Sequence, residues 1–174
     1  MSLPTGEKMR RHFTVTAFVS VQGHTLLHWH VKNRMWLPTG GHVEPDEDPV
    51  QAARREALEE AGFPVELLPT YPAFSYPLPP QLIAPATIMV EDIPATPAEA
   101  AHQHIDLIYF AIPASRRMVT PPPGTWRWVP VEALQQGRGI ALGPGAAPIP
   151  VAEDVRVLGI AAVQRASEEE RTHS

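Results

Sequence analysis

The stretch from Gly41 to Phe63 constrains this chain more than any other. It reads Gly41-His-Val-Glu-Pro-Asp-Glu47, then seven residues, then Arg55-Glu56-Ala57-Leu58-Glu59-Glu60-Ala61-Gly62-Phe63. Its second half carries the marks of a helix. Asp48 can cap the free amides of a first turn, Pro49 suits the first helical position, and Gln51 completes a reciprocal capping arrangement. Gly62 can take the left-handed conformation after the last turn, and Pro64 cannot continue it. The result is a helix of about thirteen residues, with Val50, Ala53, Ala57 and Ala61 in one narrow arc and Leu58 on its border. Small alanines let such a helix lie close to a sheet. Arg54 falls on the apolar side of the same wheel, as a long side chain reaching out past the core.

Glu56, Glu59 and Glu60 cluster along one flank. Like charges at this spacing cost an exposed helix about 0.2–0.5 kcal/mol per pair, so a positive partner is expected. Arg55 lies four residues before Glu59 and can brace it, but one guanidinium cannot neutralise Glu47, Glu56, Glu59 and Glu60 together. A divalent cation can. The donors are hard oxygens and the chain has no cysteine, which favours Mg²⁺ or Mn²⁺ over Zn²⁺. The helix alone also reads as a solvated charged face. A solvated face does not require Gly40-Gly41 and Glu47 at their offsets upstream.

The full pattern, Gly-x5-Glu-x7-Arg-Glu-x-x-Glu-Glu-x-Gly, resembles the Nudix box of the Nudix hydrolases. Ala57 and Phe63 stand at slots where Leu, Ile or Val is usual, and every charged and glycine slot is filled. The resemblance implies an α/β/α sandwich with a central mixed β-sheet and metal-dependent cleavage of a pyrophosphate bond. It points to Glu56, Glu59 and Glu60 as metal ligands, joined by the carbonyl of Gly40 just before the box glycine. Glu59 enters as ligand or as water-orienting base, so Glu59, Glu60 and Arg55 form the expected catalytic set, with Glu47 supporting the loop and the arginine. Gly41 lets the backbone approach a substrate closely. Arg34 and Lys32, just ahead of the loop, could touch a substrate phosphate or belong to a solvated turn.

Outside the box, Glu91, Asp92 and Asp106 are alternative bases. His102, His104 and Asp106 share one strand face if that segment is extended, open to a metal or base role or to ordinary solvation. His24, His28 and His30 alternate beside Trp29 and read as structural.

The remaining pattern is mixed. Phe13, Val15, Ala17, Val19 and Val21 alternate with polar residues as a half-buried strand over 13–21, followed after Gln22-Gly23 by a partner over 24–31 and a short strand over 35–37 that runs into the glycine loop. Further strands are expected over 65–68, 87–91, 104–112 and 125–129, with Leu107-Ile108-Tyr109-Phe110 central. Helices are expected over 131–136 and from about 151 to 168. Strands interleaved with helices mean α/β. The 21 prolines of 174 residues fall mainly in loops, stiffening them. In one such loop Tyr71, Phe74 and Tyr76 interleave with prolines, either as a wall for a nucleobase or as rings pinning the loop to the body.

Length fits one domain over 1–174, with loose tails expected at 1–8 and about 168–174. A net charge of −5 argues against binding nucleic-acid duplexes or acidic membranes. No apolar run approaches a membrane span and no secretory signal is visible, so a cytoplasmic enzyme is expected. Its substrate class is a small-molecule nucleoside diphosphate linked to another group, whether a nucleotide sugar, a nucleoside triphosphate or a dinucleotide. A non-catalytic sensing or scaffold module on the same fold would be expected to lose the metal glutamates, and none is lost. An isoprenoid diphosphate isomerase would want a catalytic cysteine. A homodimer is compatible with the chain.

Overall fold

Alternation in the first strand is realised as β1 (Arg11–Val21), whose odd residues Val15 and Val19 pack on one face of the sheet and whose Phe18 packs on the other. The computed structural model describes residues 9–173. The tail expected at 1–8 lies outside them. A turn at Gln22-Gly23 leads to β2 (His24–His30), then β3 (Met35–Leu37), β4 (Thr39–His42) and helix α1 (Pro49–Ala61). Next come β5 (Val65–Leu68), β6 (Thr87–Ile93), β7 (His102–Pro113) and β8 (Trp126–Pro130), and then α2 (Val131–Gln135) and α3 (Glu153–Thr172).

These strands form one eight-stranded mixed sheet in which β1 lies between β2 and β7. The β1–β7 pairing is parallel and runs from Arg11 beside Gln103 to Val19 beside Ala111, while β5 and β6 both join β7 antiparallel. Leu107 to Phe110 are therefore central, as expected. Helix α1 covers one face, seating Ala53, Ala57 and Ala61 against Val15, Val19 and Tyr109. Helix α3 covers the other, where Val155 and Ala162 meet Phe18 and Ile108. A larger side chain at Ala57 would have to push α1 off the sheet, at about 1–3 kcal/mol.

The ends of α1 follow the sequence chemistry. The Asp48 carboxylate accepts from the amides of Val50 at 2.8 Å and Gln51 at 2.9 Å, and the Gln51 side chain accepts from the Asp48 amide at 2.9 Å. Gly62 stops the helix at φ 81°, its amide donating to the Leu58 carbonyl. Arg54 is exposed, as a side chain reaching past the core should be, but the buried arc needs correction: Ala52 joins it while Leu58 is 51% exposed. The wheel is rotated toward Ala52 because the flank beyond Leu58 meets solvent. At the other end of the chain α3 continues to Thr172, so the segment from about 168 is helical, held by Arg165–Glu169 and by Thr172 to the Glu168 carbonyl.

Candidate functional site

The glycine loop is a strand. Thr39–His42 pairs antiparallel with β1, Gly40 opposite Thr16 and Gly41 opposite Val15, although glycine is a poor strand residue by propensity. Close approach explains it. A Cβ at Gly40 would meet the Val15 carbonyl oxygen at 2.5 Å, and one at Gly41 would fall 2.2–2.7 Å from the Glu56 carboxylate. Only a bare backbone lets α1 lay its glutamates against this strand.

Arg55 is the hub of the charged flank. Its guanidinium donates to Glu47 at 2.6 and 3.1 Å, to Glu56 at 2.7 Å, to Glu59 at 3.3 Å and to the carbonyl of His42 at 3.0 Å. The expected brace on Glu59 is thus the longest of its carboxylate contacts. Loop residues Glu47 and His42 draw the fork toward themselves. The Arg55 hydrogen bonds hold the Glu47 carboxyl below its ordinary range, and the same contacts raise the guanidinium pKa further.

Among the described residues Glu60 has no such cationic partner. Its carboxylate accepts one hydrogen bond, from the Gly40 amide at 2.9 Å, and burial pushes its pKa up to about 7 despite that bond, with Glu56 and Glu59 adding to the rise. Three carboxylates on one helix flank, one of them half-buried and short of positive charge, beside a strand carbonyl at Gly40, are a hard-oxygen donor set that fits a divalent cation such as Mg²⁺ or Mn²⁺.

Glu60, Gly40 and Gly41 line a pocket of about 190 Å³ together with Thr14, Thr16, Asp106, His104 and Glu91. Strand register puts these on one face: Thr14 pairs with Asp106, and His104 with Glu91. Asp106 accepts from Thr14 Oγ1 at 3.0 Å and Thr16 Oγ1 at 2.8 Å, and burial raises its pKa against the pull of both hydroxyls. Glu91 is raised as well, by burial first and then by the charges of Asp106 and Asp154.

Of the alternative bases, Asp92 points to the opposite face, exposed and accepting from Gln103 Nε2 at 2.8 Å. Arg34 is exposed on the β2–β3 turn at φ 53°, outside the residues that line the pocket, while its neighbour Asn33 does line it. His28 and His30, read as structural, line the pocket too, His28 stacked on Trp126 with ring centroids 4.5 Å apart. Their alternation beside Trp29 was the available signal. Tyr71 and Phe74 do not pin their loop to the body: they are 61% and 79% exposed and border a separate, mainly apolar cavity of about 870 Å³.

A sequence profile of the NUDIX domain matches residues 10–146. Among solved structures, this chain is similar to a NUDIX-family hydrolase from Clostridium perfringens, with 29% identity over 90% of this chain and 98% of the other and a TM-score of 0.65. It also shares its fold with the E. coli ORF135 protein, at 19% identity over 91% and 94% of the two chains and a TM-score of 0.52. No curated protein matches it in sequence.

Proposed function

The chain belongs to the Nudix hydrolase family, a family of pyrophosphohydrolases, and from that premise we propose that it cleaves the pyrophosphate bond of a nucleoside diphosphate linked to another group, with Mg²⁺ or Mn²⁺. The observation that carries this reading is the half-buried, under-neutralised Glu60 carboxylate in a pocket lined by two further carboxylates, Glu91 and Asp106.

Glu56, Glu59 and Glu60, with the Gly40 carbonyl, are the residues that hold the cation. When bound there, a divalent ion supplies positive charge to phosphate oxygens and makes water more acidic. Arg55 keeps Glu56 and Glu59 in place and returns Glu47 to the loop, so that the flank stays ordered. Glu91, which lines the pocket, takes the proton from the attacking water in this reading, with Glu59 as the rival base on the helix. Asp106 is fixed by two hydroxyl donors and acts as a wall rather than a mobile acid. Gly41 brings the strand backbone against the phosphates, while Arg34, outside the pocket lining, would have to swing inward from the turn beside Asn33 to meet them.

Phosphate or nucleotide release from a panel of nucleotide sugars, triphosphates and dinucleotides, run with Mg²⁺ and with chelator, tests the proposal. Metal-dependent turnover of one class, lost in Glu56→Gln and Glu60→Gln while the fold is retained, is the expected result. Inertness toward the whole panel would instead favour a sensing module.

A further inference from the structure

Four imidazoles converge at the end of the sheet beyond Asp106. His12 comes from β1, His102 and His104 from β7, and His42 from the end of β4, so three neighbouring strands contribute to one face. Ring centroids lie 4.7 Å apart for His12–His102, 5.0 Å for His42–His104, 5.1 Å for His102–His104 and 5.3 Å for His12–His42. The ligating nitrogens of His12, His42 and His104 all lie within 4.8 Å of one another.

His102 Nε2 faces His104 Nε2 at 3.2 Å, where a single proton must serve both nitrogens. The other nitrogen of His102, Nδ1, lies 2.9 Å from the Ala100 carbonyl, which keeps a proton on Nδ1 and turns the Nε2 lone pair into the cluster. A backbone carbonyl fixing the far nitrogen of an imidazole is the outer-shell arrangement found behind metal-bound histidines. Burial and the neighbouring rings also lower the pKa of His12 and His104, which favours the neutral, ligating form.

We propose that His12, His42 and His104, with His102 as the adjoining fourth imidazole, bind a divalent transition ion, Zn²⁺ by preference, at a site separate from the hard-oxygen site on α1. Imidazole nitrogen selects Zn²⁺ and its neighbours in the transition series, where carboxylate and carbonyl oxygens select Mg²⁺. Tetrahedral zinc places its nitrogens about 3.3 Å apart, so the rings close in by rotation about their side-chain bonds, and the exposed His42 has the freedom to do so. Arg10, 3.1 Å from His12 Nε2, is exposed and can turn out to solvent. Glu99, with His12 and His102, offers a carboxylate oxygen within the same 4.8 Å limit. Because His104 also lines the pocket shared by Glu60 and Glu91, an ion there stands in the pocket wall and adds positive charge beside it.

The test is a titration of the full chain with Co²⁺ in a large excess of Mg²⁺, followed by visible absorption and then by displacement with Zn²⁺. One Co²⁺ per chain with the bands of a nitrogen-ligated, low-coordinate ion is expected, bound at least about tenfold more weakly by a His12→Ala, His104→Ala double variant. Glu56→Gln, Glu60→Gln protein should keep the bands. Should the histidine double variant fail to fold by circular dichroism, His42→Ala alone, at an exposed position, is expected to show the same weakening. No bands in the natural chain, equal Co²⁺ affinity in the histidine variants, or bands lost with the glutamates would each overturn the proposal.

Discussion

The amide of Gly40 donates to Oε2 of Glu60 at 2.9 Å, joining the strand that carries one proposed metal ligand to the helix residue that carries another. Strand and helix are thereby held in register at the place where both turn toward the pocket.

Glu60 should make stability fall as pH rises in metal-free protein. Its folded pKa, about 7, lies above the ordinary glutamate value of 4.5, so its favourable contribution is full below about pH 4.5 and is lost as pH climbs through 7. A shift of that size corresponds to roughly 3 kcal/mol at most, reduced by solvent screening of a carboxylate that is only partly buried. Denaturant unfolding between pH 4.5 and 8 in chelator should show this slope, and Glu60→Gln should flatten it. Added Mg²⁺ should restore stability at high pH, since the ion and the proton compete for one carboxylate.

Gly41→Ala is expected to leave the fold standing and to weaken activity. Its φ is not in the left-handed region, so no backbone strain arises, but the new Cβ takes the space of the Glu56 carboxylate, which must swing off Arg55. A tenfold or greater rise in the Mg²⁺ concentration for half-maximal rate, with the melting temperature lowered by only a few degrees, is the expected order of effect. Steady-state kinetics across a Mg²⁺ series checks it.

Arg55→Lys keeps the charge and loses the fork. A single ammonium cannot reach Glu47, Glu56, Glu59 and the His42 carbonyl together, so stability should drop by about 1–3 kcal/mol and kcat by roughly 10–100-fold. Thermal melts and kcat measured on the same preparation separate the two losses.

Glu91 and Asp92 offer a paired comparison on adjacent residues. Glu91 faces the pocket and its pKa is raised, so a rate that depends on its ionised form should climb with pH through that raised pKa. In Glu91→Gln that limb should vanish and kcat fall about 10²–10⁴-fold. Asp92→Asn, on the other face against Gln103, should leave the pH–rate profile as it was. Equal behaviour of the two variants would move the base back to Glu59.

What was legible in the sequence was local. Asp48, Pro49, Gln51 and Gly62 act on neighbours within four residues, and α1 begins and ends where they say. What was not legible was set across the sheet. Gly40 and Gly41 look like turn residues until Val15 and Glu56 are seen to need the space. His28 and His30 become pocket residues through β2 lying beside β1 and β8, and His12 meets His104 through a pairing between residues far apart in the chain. Asp106 reads in sequence as an alternative base, yet two threonines on another strand hold it.

That same β1–β7 pairing has a consequence for the newly made protein. Thr14 and Asp106 are 92 positions apart, so a chain emerging from the ribosome displays its glutamate helix well before the strand that completes the cleft has been synthesised. The cleft can therefore close only after β7 has emerged, and closing so long a loop carries an entropic cost that local helix formation does not.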